Sequence, residues 1–260
     1  MIIPSLNSPY ILQTDSISIK WYGVLVALAI ALCYILILRE IRRGKIDESK
    51  FDTFFLITIL SGLVGARIGF VIQNISYYSQ DILGIFKFWD GGLSIHGAII
   101  LGVLGLYIST RVLKLNFVKI SNIIAPYLFL GGAIGRWGNF FNQEIIGKPA
   151  TGLLKMSVDL ANRSLGFENI QYFHPVFLYE SILFILAFTL YFIFRKKLKN
   201  FAIYYTLIVY SLIRVIVEFW RIDYRPIFLH LDLAQIVSLA IIFISIIFCL
   251  ALSKKTSSSV

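Results

Sequence analysis

Cysteine is nearly absent from this sequence: Cys33 and Cys249 are the two found in 260 residues. Each sits inside an apolar run with no CxxC or Cys/His spacing around it. Both therefore read as small buried hydrophobes, which excludes a disulfide framework and a thiolate metal centre. Charge is scarce as well, at 15% against 58% hydrophobic residues, and this excludes a soluble domain of ordinary composition. No P-loop, HExxH, GxSxG or EF-hand spacing occurs, so nucleotide hydrolysis, zinc proteolysis and serine-hydrolase chemistry lack their signatures. No cofactor and no metal is expected. Residues 1–18 carry no basic segment ahead of the first apolar run, and no cleaved signal peptide is expected. No repeat of fixed period is visible, and low complexity is confined to the tail Ser257-Ser258-Ser259; the chain reads as one domain, 1–260.

What the sequence does have is long apolar runs. Several reach the roughly 20 residues needed to cross a bilayer, and continuous runs of this kind span only as helices. The expected fold is an all-α polytopic membrane protein with about seven spans, near 19–38, 53–73, 93–110, 121–136, 175–194, 201–219 and 232–252. The formal charge of +10 is dispersed beside these runs rather than gathered on one soluble face, so it is read as a topology signal and not as a nucleic-acid surface. Arg39, Arg42, Arg43, Lys45 and Lys50 follow the first span; Arg111, Lys114 and Lys119 the third; Arg195, Lys196, Lys197 and Lys199 the fifth; Lys254 and Lys255 the seventh. All fall on one side, which the positive-inside rule makes cytoplasmic, with the N-terminus outside and the C-terminus inside. The segment 137–174 is then an extracytoplasmic loop, long enough for a small subdomain and containing pieces compatible with a hairpin between Lys148 and Tyr172. Trp21, Tyr22, Tyr77, Tyr78, Trp89 and Trp220 suit the interfacial aromatic belts.

Glycines at helical spacing, Gly62, Gly65 and Gly69, with Gly97, Gly102 and Gly105 in the next span, are read first as helix-packing positions. The polar residues inside the runs gather at one depth, the outer end. Tyr22 opens the first span and Arg67 lies near the end of the second; His96 opens the third, and Arg136 and Asn139 close the fourth. His174, Tyr179 and Glu180 begin the fifth, and Arg214, Glu218 and Arg221 finish the sixth. Arg214, Glu218 and Arg221 share a helical face. Two readings are open for them: a self-neutralising cluster that eases insertion, or a site. The stripe holds two cations to one anion, and Arg67 and Arg136 add cations against Glu144 and Glu180. That excess suggests an anionic ligand, and arginine suits phosphate. His96 beside such a pocket is a candidate general base.

The stretch Gly135-Arg136-Trp137-Gly138-Asn139-Phe140-Phe141-Asn142-Gln143-Glu144-Ile145-Ile146-Gly147 resembles the signature of the bacterial prolipoprotein diacylglyceryl transferases. Further landmarks follow the family order: Trp21-Tyr22-Gly23, Gly65-Ala66-Arg67, Asp90-Gly91-Gly92-Leu93-Ser94-Ile95-His96-Gly97, His174-Pro175 with Leu178-Tyr179-Glu180, and Arg214 to Glu218 to Arg221. The resemblance runs from Trp21 to the last span. Asn122 and Phe177 depart from it, standing where the family commonly has an acid and a glutamine.

The resemblance implies a seven-helix enzyme of the bacterial cytoplasmic (inner) membrane. Such an enzyme moves the diacylglyceryl group of phosphatidylglycerol onto the lipobox cysteine of a preprolipoprotein signal peptide; a thioether forms and glycerol 1-phosphate leaves. By the same resemblance Arg136, Arg214 and His96 are the catalytic candidates. Tyr22, Arg67, Asn139, Glu144, Tyr210, Glu218 and Arg221 are the substrate-binding ones. Phosphatidylglycerol, the signal peptide and membrane lipids are the expected partners, and nucleic acid is not. The physics agrees: breaking a carbon–oxygen bond to phosphate builds charge on the leaving group, which fixed guanidinium groups stabilise. The alternative is a transporter or channel for an organic anion, which expects polar residues across the full membrane depth.

Overall fold

The apolar runs fold as helices in the computed structural model, which describes residues 1–4, 8–14, 18–88 and 91–257, with side chains to 252. Trp89, Asp90, Ser258 and Ser259 lie outside the described residues. The helices are α1 (Trp21–Arg43), α2 (Glu48–Gln73), the short α3 (Ile75–Tyr78), α4 (Ile95–Val112), α5 (Phe117–Ile124), α6 (Tyr127–Asn142), α7 (Val176–Ile193), the short α8 (Arg195–Leu198), α9 (Ala202–Glu218) and α10 (Leu233–Ser257). Among the described residues five are long and apolar enough to cross a membrane: α1, α2, α4, α7 and the Leu233–Leu252 part of α10. A sixth follows if α5 and α6 count together across their break at Ala125-Pro126. α9, at 17 residues, is not among them, so five or six such spans are found among the described residues where seven were expected. The protein is a multi-pass helical membrane protein, and its exposed apolar residues, such as Leu28, Leu56, Ile72, Ile100 and Phe243, are the lipid-facing surface such helices need.

The chain divides into two compact units, Met1–Cys33 with Ile124–Val260, and Tyr34–Ile123. In the first, α6 packs on α7, and α9 packs on both α7 and α10. Phe129 and Ala133 of α6, Val176, Phe184 and Ala187 of α7, and Ile213 and Val217 of α9 form its helical core. Ser181 Oγ donates to the Ala133 carbonyl at 2.9 Å, tying α7 to α6 at the depth of the polar residues. Short strands lie beyond the helix ends: β1 (Ile2–Ile3), β2 (Tyr10–Gln13), β3 (Ser18–Lys20), β4 (Lys155–Ser157) and β5 (Tyr172–Phe173). β4 and β5 pair antiparallel, Met156 opposite Phe173, which is the hairpin-like pairing expected in this loop. β1 joins β4 in parallel, an addition from the far end of the chain that local patterning does not signal. Phe140, Ile146, Met156, Val158, Phe173 and Phe177 form a second core beneath this sheet.

In the second unit α2 and α4 pack face to face. A Cβ on Gly65 would collide with the Gly97 carbonyl, and one on Gly97 with that of Gly65, so these glycines serve close backbone packing as expected. Asp47 accepts from the Ser49 amide at 2.9 Å and caps α2. The hydroxyl and amide of Ser49 also hold the Asp47 carboxyl below its usual range.

Candidate active site

The signature segment builds one end of the site by reversing the chain directly after α6. Gln143 (φ 50°) and Ile145 (φ 56°) both take left-handed backbone, which for β-branched Ile145 is a strained conformation that the surroundings must impose. Those surroundings are specific. The Gln143 side chain donates to Asp159 Oδ2 at 2.5 Å and accepts from the Asp159 amide at 2.7 Å. Lys148 N–H donates to the Trp220 carbonyl at 2.7 Å, and Ile222 N–H to that of Ile146 at 3.2 Å. The turn brings Glu144 back over the helix, where its Oε1 accepts from Asn139 Nδ2 at 2.7 Å.

Asn139 lies between opposite charges. Its Oδ1 accepts from Arg136 Nη1 at 3.3 Å while its Nδ2 serves Glu144. The amide offers an acceptor to the cation and a donor to the anion at once. Arg136 then reaches α7: its Nε lies 2.7 Å from Glu180 Oε2 and its Nη2 donates to Oε1 at 3.2 Å. Glu180, with its side chain 1% exposed, also lies 3.9 Å from Arg214 Nη1 on α9. Arg214 Nη2 pairs with Glu218 Oε2 at 2.7 Å, one helical turn on, and Glu218 Oε1 lies 3.4 Å from Arg221 Nε. Arg221 closes the series on Asp223 with two hydrogen bonds of 2.8 and 2.6 Å. Burial would raise the Asp223 carboxyl, yet the hydrogen bonds and charge of Arg221 override it and hold it below its ordinary value.

These residues form one chain of alternating sign from Glu144 to Asp223, drawn from α6, α7, α9 and the segment after α9. Arg136, Arg214 and Arg221 stand against Glu144, Glu180, Glu218 and Asp223, so the excess of cations read from the sequence is corrected: within this network the carboxylates outnumber the guanidinium groups. An anionic ligand would be met by unfilled N–H donors rather than by surplus charge. Arg136 and Arg214 keep 18% and 20% of their side chains exposed.

Aromatic rings wall the network. Phe184 lies between Arg136, whose Cζ is 5.9 Å from the ring centre, and Tyr210, which stacks on it at 5.8 Å. The Tyr22 ring occupies the space a Cβ on Gly138 would need, and Trp21 stacks on Phe141 at 4.8 Å. The Tyr22 ring thus leaves no room for a side chain at position 138. Phe177, where the family commonly has glutamine, stacks on Phe140 at 4.8 Å and lies in the core. His174 Nδ1 lies 3.0 Å from the Tyr179 hydroxyl, a local hydrogen-bonding role as expected.

Arg67 and His96 belong to the second unit and are described there. The Arg67 guanidinium donates to the carbonyls of Gly84 (2.5 Å), Ile85 (2.8 Å), Gly91 (2.6 Å) and Gly92 (3.1 Å) and lies over the rings of Tyr78 and Phe88. The φ values of Gly91 and Gly92, 87° and 72°, point those carbonyls at it. Most of its donors are thus spent on its own loop. His96 is exposed on the first turn of α4.

Sequence reasoning placed Arg136, Asn139, Glu180, Arg214, Glu218 and Arg221 at one depth and counted Glu144 among the anions there, and the structure joins them in one network. It counted Glu180 as an anion of this region without giving it a role at the site, although a carboxylate in an apolar run calls for a partner. It left out Asp223 and the Gln143–Asp159 pair, for which no local signal exists.

Residues 9–251 match the family model described as prolipoprotein diacylglyceryl transferase. Relatives named phosphatidylglycerol–prolipoprotein diacylglyceryl transferase include one from Fervidobacterium nodosum, 39% identical over 90% of this chain and 82% of its own length. Another, from Halalkalibacterium halodurans, is 38% identical over 89% of this chain and 81% of its own. One from Clostridium botulinum strain Loch Maree is 36% identical over 95% and 98% respectively.

Proposed function

Because the chain belongs to the prolipoprotein diacylglyceryl transferase family, we propose that it transfers the diacylglyceryl group of phosphatidylglycerol to the lipobox cysteine of a preprolipoprotein. This is the first step of lipoprotein maturation. The glyceryl carbon–oxygen bond to phosphate breaks, a carbon–sulfur bond forms, and glycerol 1-phosphate departs with the bonding electrons. The whole chain acts as one transferase domain of the bacterial cytoplasmic membrane, with the N-terminus and the 137–174 segment outside and the C-terminus inside. Family membership displaces the organic-anion transporter alternative.

The observation that carries the reading is the pair of guanidinium groups from α6 and α9 held on one buried carboxylate. Arg136 and Arg214 present their free N–H groups to the phosphate and stabilise the charge that grows on it as the bond breaks. Their geometry is set before substrate arrives, so little reorganisation accompanies the chemistry. Tyr22, Asn139, Glu144, Tyr210, Glu218 and Arg221 line or hold the binding region. The thiol reacts as thiolate, and its proton goes to a base for which His96 is the candidate. The test incubates purified protein with phosphatidylglycerol and a lipobox peptide and reads the mass of the peptide. A diacylglyceryl adduct on cysteine with release of glycerol 1-phosphate is expected; its absence with folded protein overturns the reading.

A further inference from the structure

We propose that Glu180 is a positioning residue of this reaction, the shared counter-ion that orients Arg136 and Arg214 toward the departing phosphate. The inference rests on the function proposed above. Glu180 is the carboxylate through which the α6 and α9 arginines are connected: Arg136 takes it side-on through Nε and Nη2, and Arg214 approaches the oxygen that Nη2 shares. At 1% exposure its side chain does not itself meet a substrate, whereas the two arginines keep an open face. A carboxylate met by two nitrogens of one edge constrains the guanidinium plane as well as its position: Nη2 donates to Oε1 while Nε lies in ion-pair contact with Oε2. α7 holds Glu180 rigidly, since the next residue, Ser181, bonds the Ala133 carbonyl of α6, and Phe184 one turn on packs between Arg136 and Tyr210.

This arrangement makes a prediction that a general packing role does not. Without the carboxylate the two cations lose their common counter-charge, so the anionic donor lipid should bind as well as before or better. The donors, however, no longer point at the place where charge develops. Loss therefore falls on kcat and spares KM.

The experiment compares wild type, Glu180→Gln, Arg136→Gln and the double variant, full-length and in phosphatidylglycerol-containing micelles, with thermal unfolding measured alongside. Glu180→Gln is expected to lower kcat by about tenfold or more with KM for phosphatidylglycerol unchanged or lower. In the Arg136→Gln background the same substitution should cost about threefold or less, because the group it positions is gone. Wild-type kcat in folded Glu180→Gln, a raised KM at unchanged kcat, or full additivity with Arg136→Gln overturns the proposal. Should Glu180→Gln fail to fold, Glu180→Asp decides: its shortened carboxylate cannot span both guanidiniums, so a lowered kcat at unchanged KM supports the role and wild-type kcat overturns it. An inactive wild type instead overturns the functional reading itself, and the two failures are thereby told apart.

Discussion

Two settings for intramembrane arginine stand side by side in this protein. Arg67, 3% exposed, is neutralised by backbone carbonyl dipoles and ring faces, and its donors are consumed by the loop it organises. Arg136 and Arg214 are held by carboxylates that are themselves buried, and each keeps an open face. The carbonyl dipoles take four of the five N–H groups of the Arg67 guanidinium. A shared carboxylate fixes it by one edge and leaves the other edge for a ligand. Burial of an arginine alone therefore does not mark a site; what its partners leave free does.

The sharpest way to break this comparison is to remove the fork while keeping the charge. Arg136→Lys and Arg214→Lys should each lower kcat/KM for peptide lipidation by about 100-fold or more, a loss of roughly 2.7 kcal/mol or more of transition-state stabilisation. Near-normal turnover in both would sink the guanidinium role. Arg67→Met should act on folding instead. Leaving the carbonyls of the 84–92 loop without a donor should cost about 2–3 kcal/mol of stability in detergent, with KM for phosphatidylglycerol unchanged in the folded fraction. A stable variant with weakened lipid binding would move Arg67 back among the substrate contacts.

Asn139→Asp tests the polarity of the link. It removes the donor to Glu144 and sets two carboxylates together, so activity should drop about tenfold, or roughly 1.4 kcal/mol; unchanged activity would make the Asn139–Glu144 bond incidental. Asp223→Asn should have the smallest effect, under about 1 kcal/mol of stability, because its carboxylate is about half exposed. Arg221 depresses the Asp223 carboxyl, so the pair contributes above the ordinary carboxylate range and is lost as pH falls through the lowered value. Melting curves of wild type and Asp223→Asn should stay a constant distance apart from neutral pH to about 5 and converge below about 4. A gap that widens on acidification would show the sign to be wrong.

Much of the fold was legible because hydrocarbon imposes a one-dimensional rule. A run of some 20 apolar residues must be a helix, since no other backbone satisfies its own hydrogen bonds there. The helices α1, α2, α4, α7 and α10 followed from that rule, whereas α9 is shorter than it assumes and the α5–α6 segment is bent at its break. The Gly65–Gly97 contact was legible for a similar reason, as small residues recur at helical spacing where backbones meet. The three-stranded sheet was not: β1 and β4 lie some 150 residues apart, and register between distant strands depends on a tertiary path that no local pattern encodes.

The sequence by itself determined that this is a multi-pass helical membrane protein, and its signature segment determined the family, because insertion energy and backbone-specific motifs are read residue by residue. Which cation meets which anion across different helices was decided by the tertiary structure alone. Glu180 on α7 joins arginines from α6 and α9, and Arg67 turns inward to its own loop, because ion pairing depends on distances of a few ångströms between helices. Those distances exist only after the helices have packed.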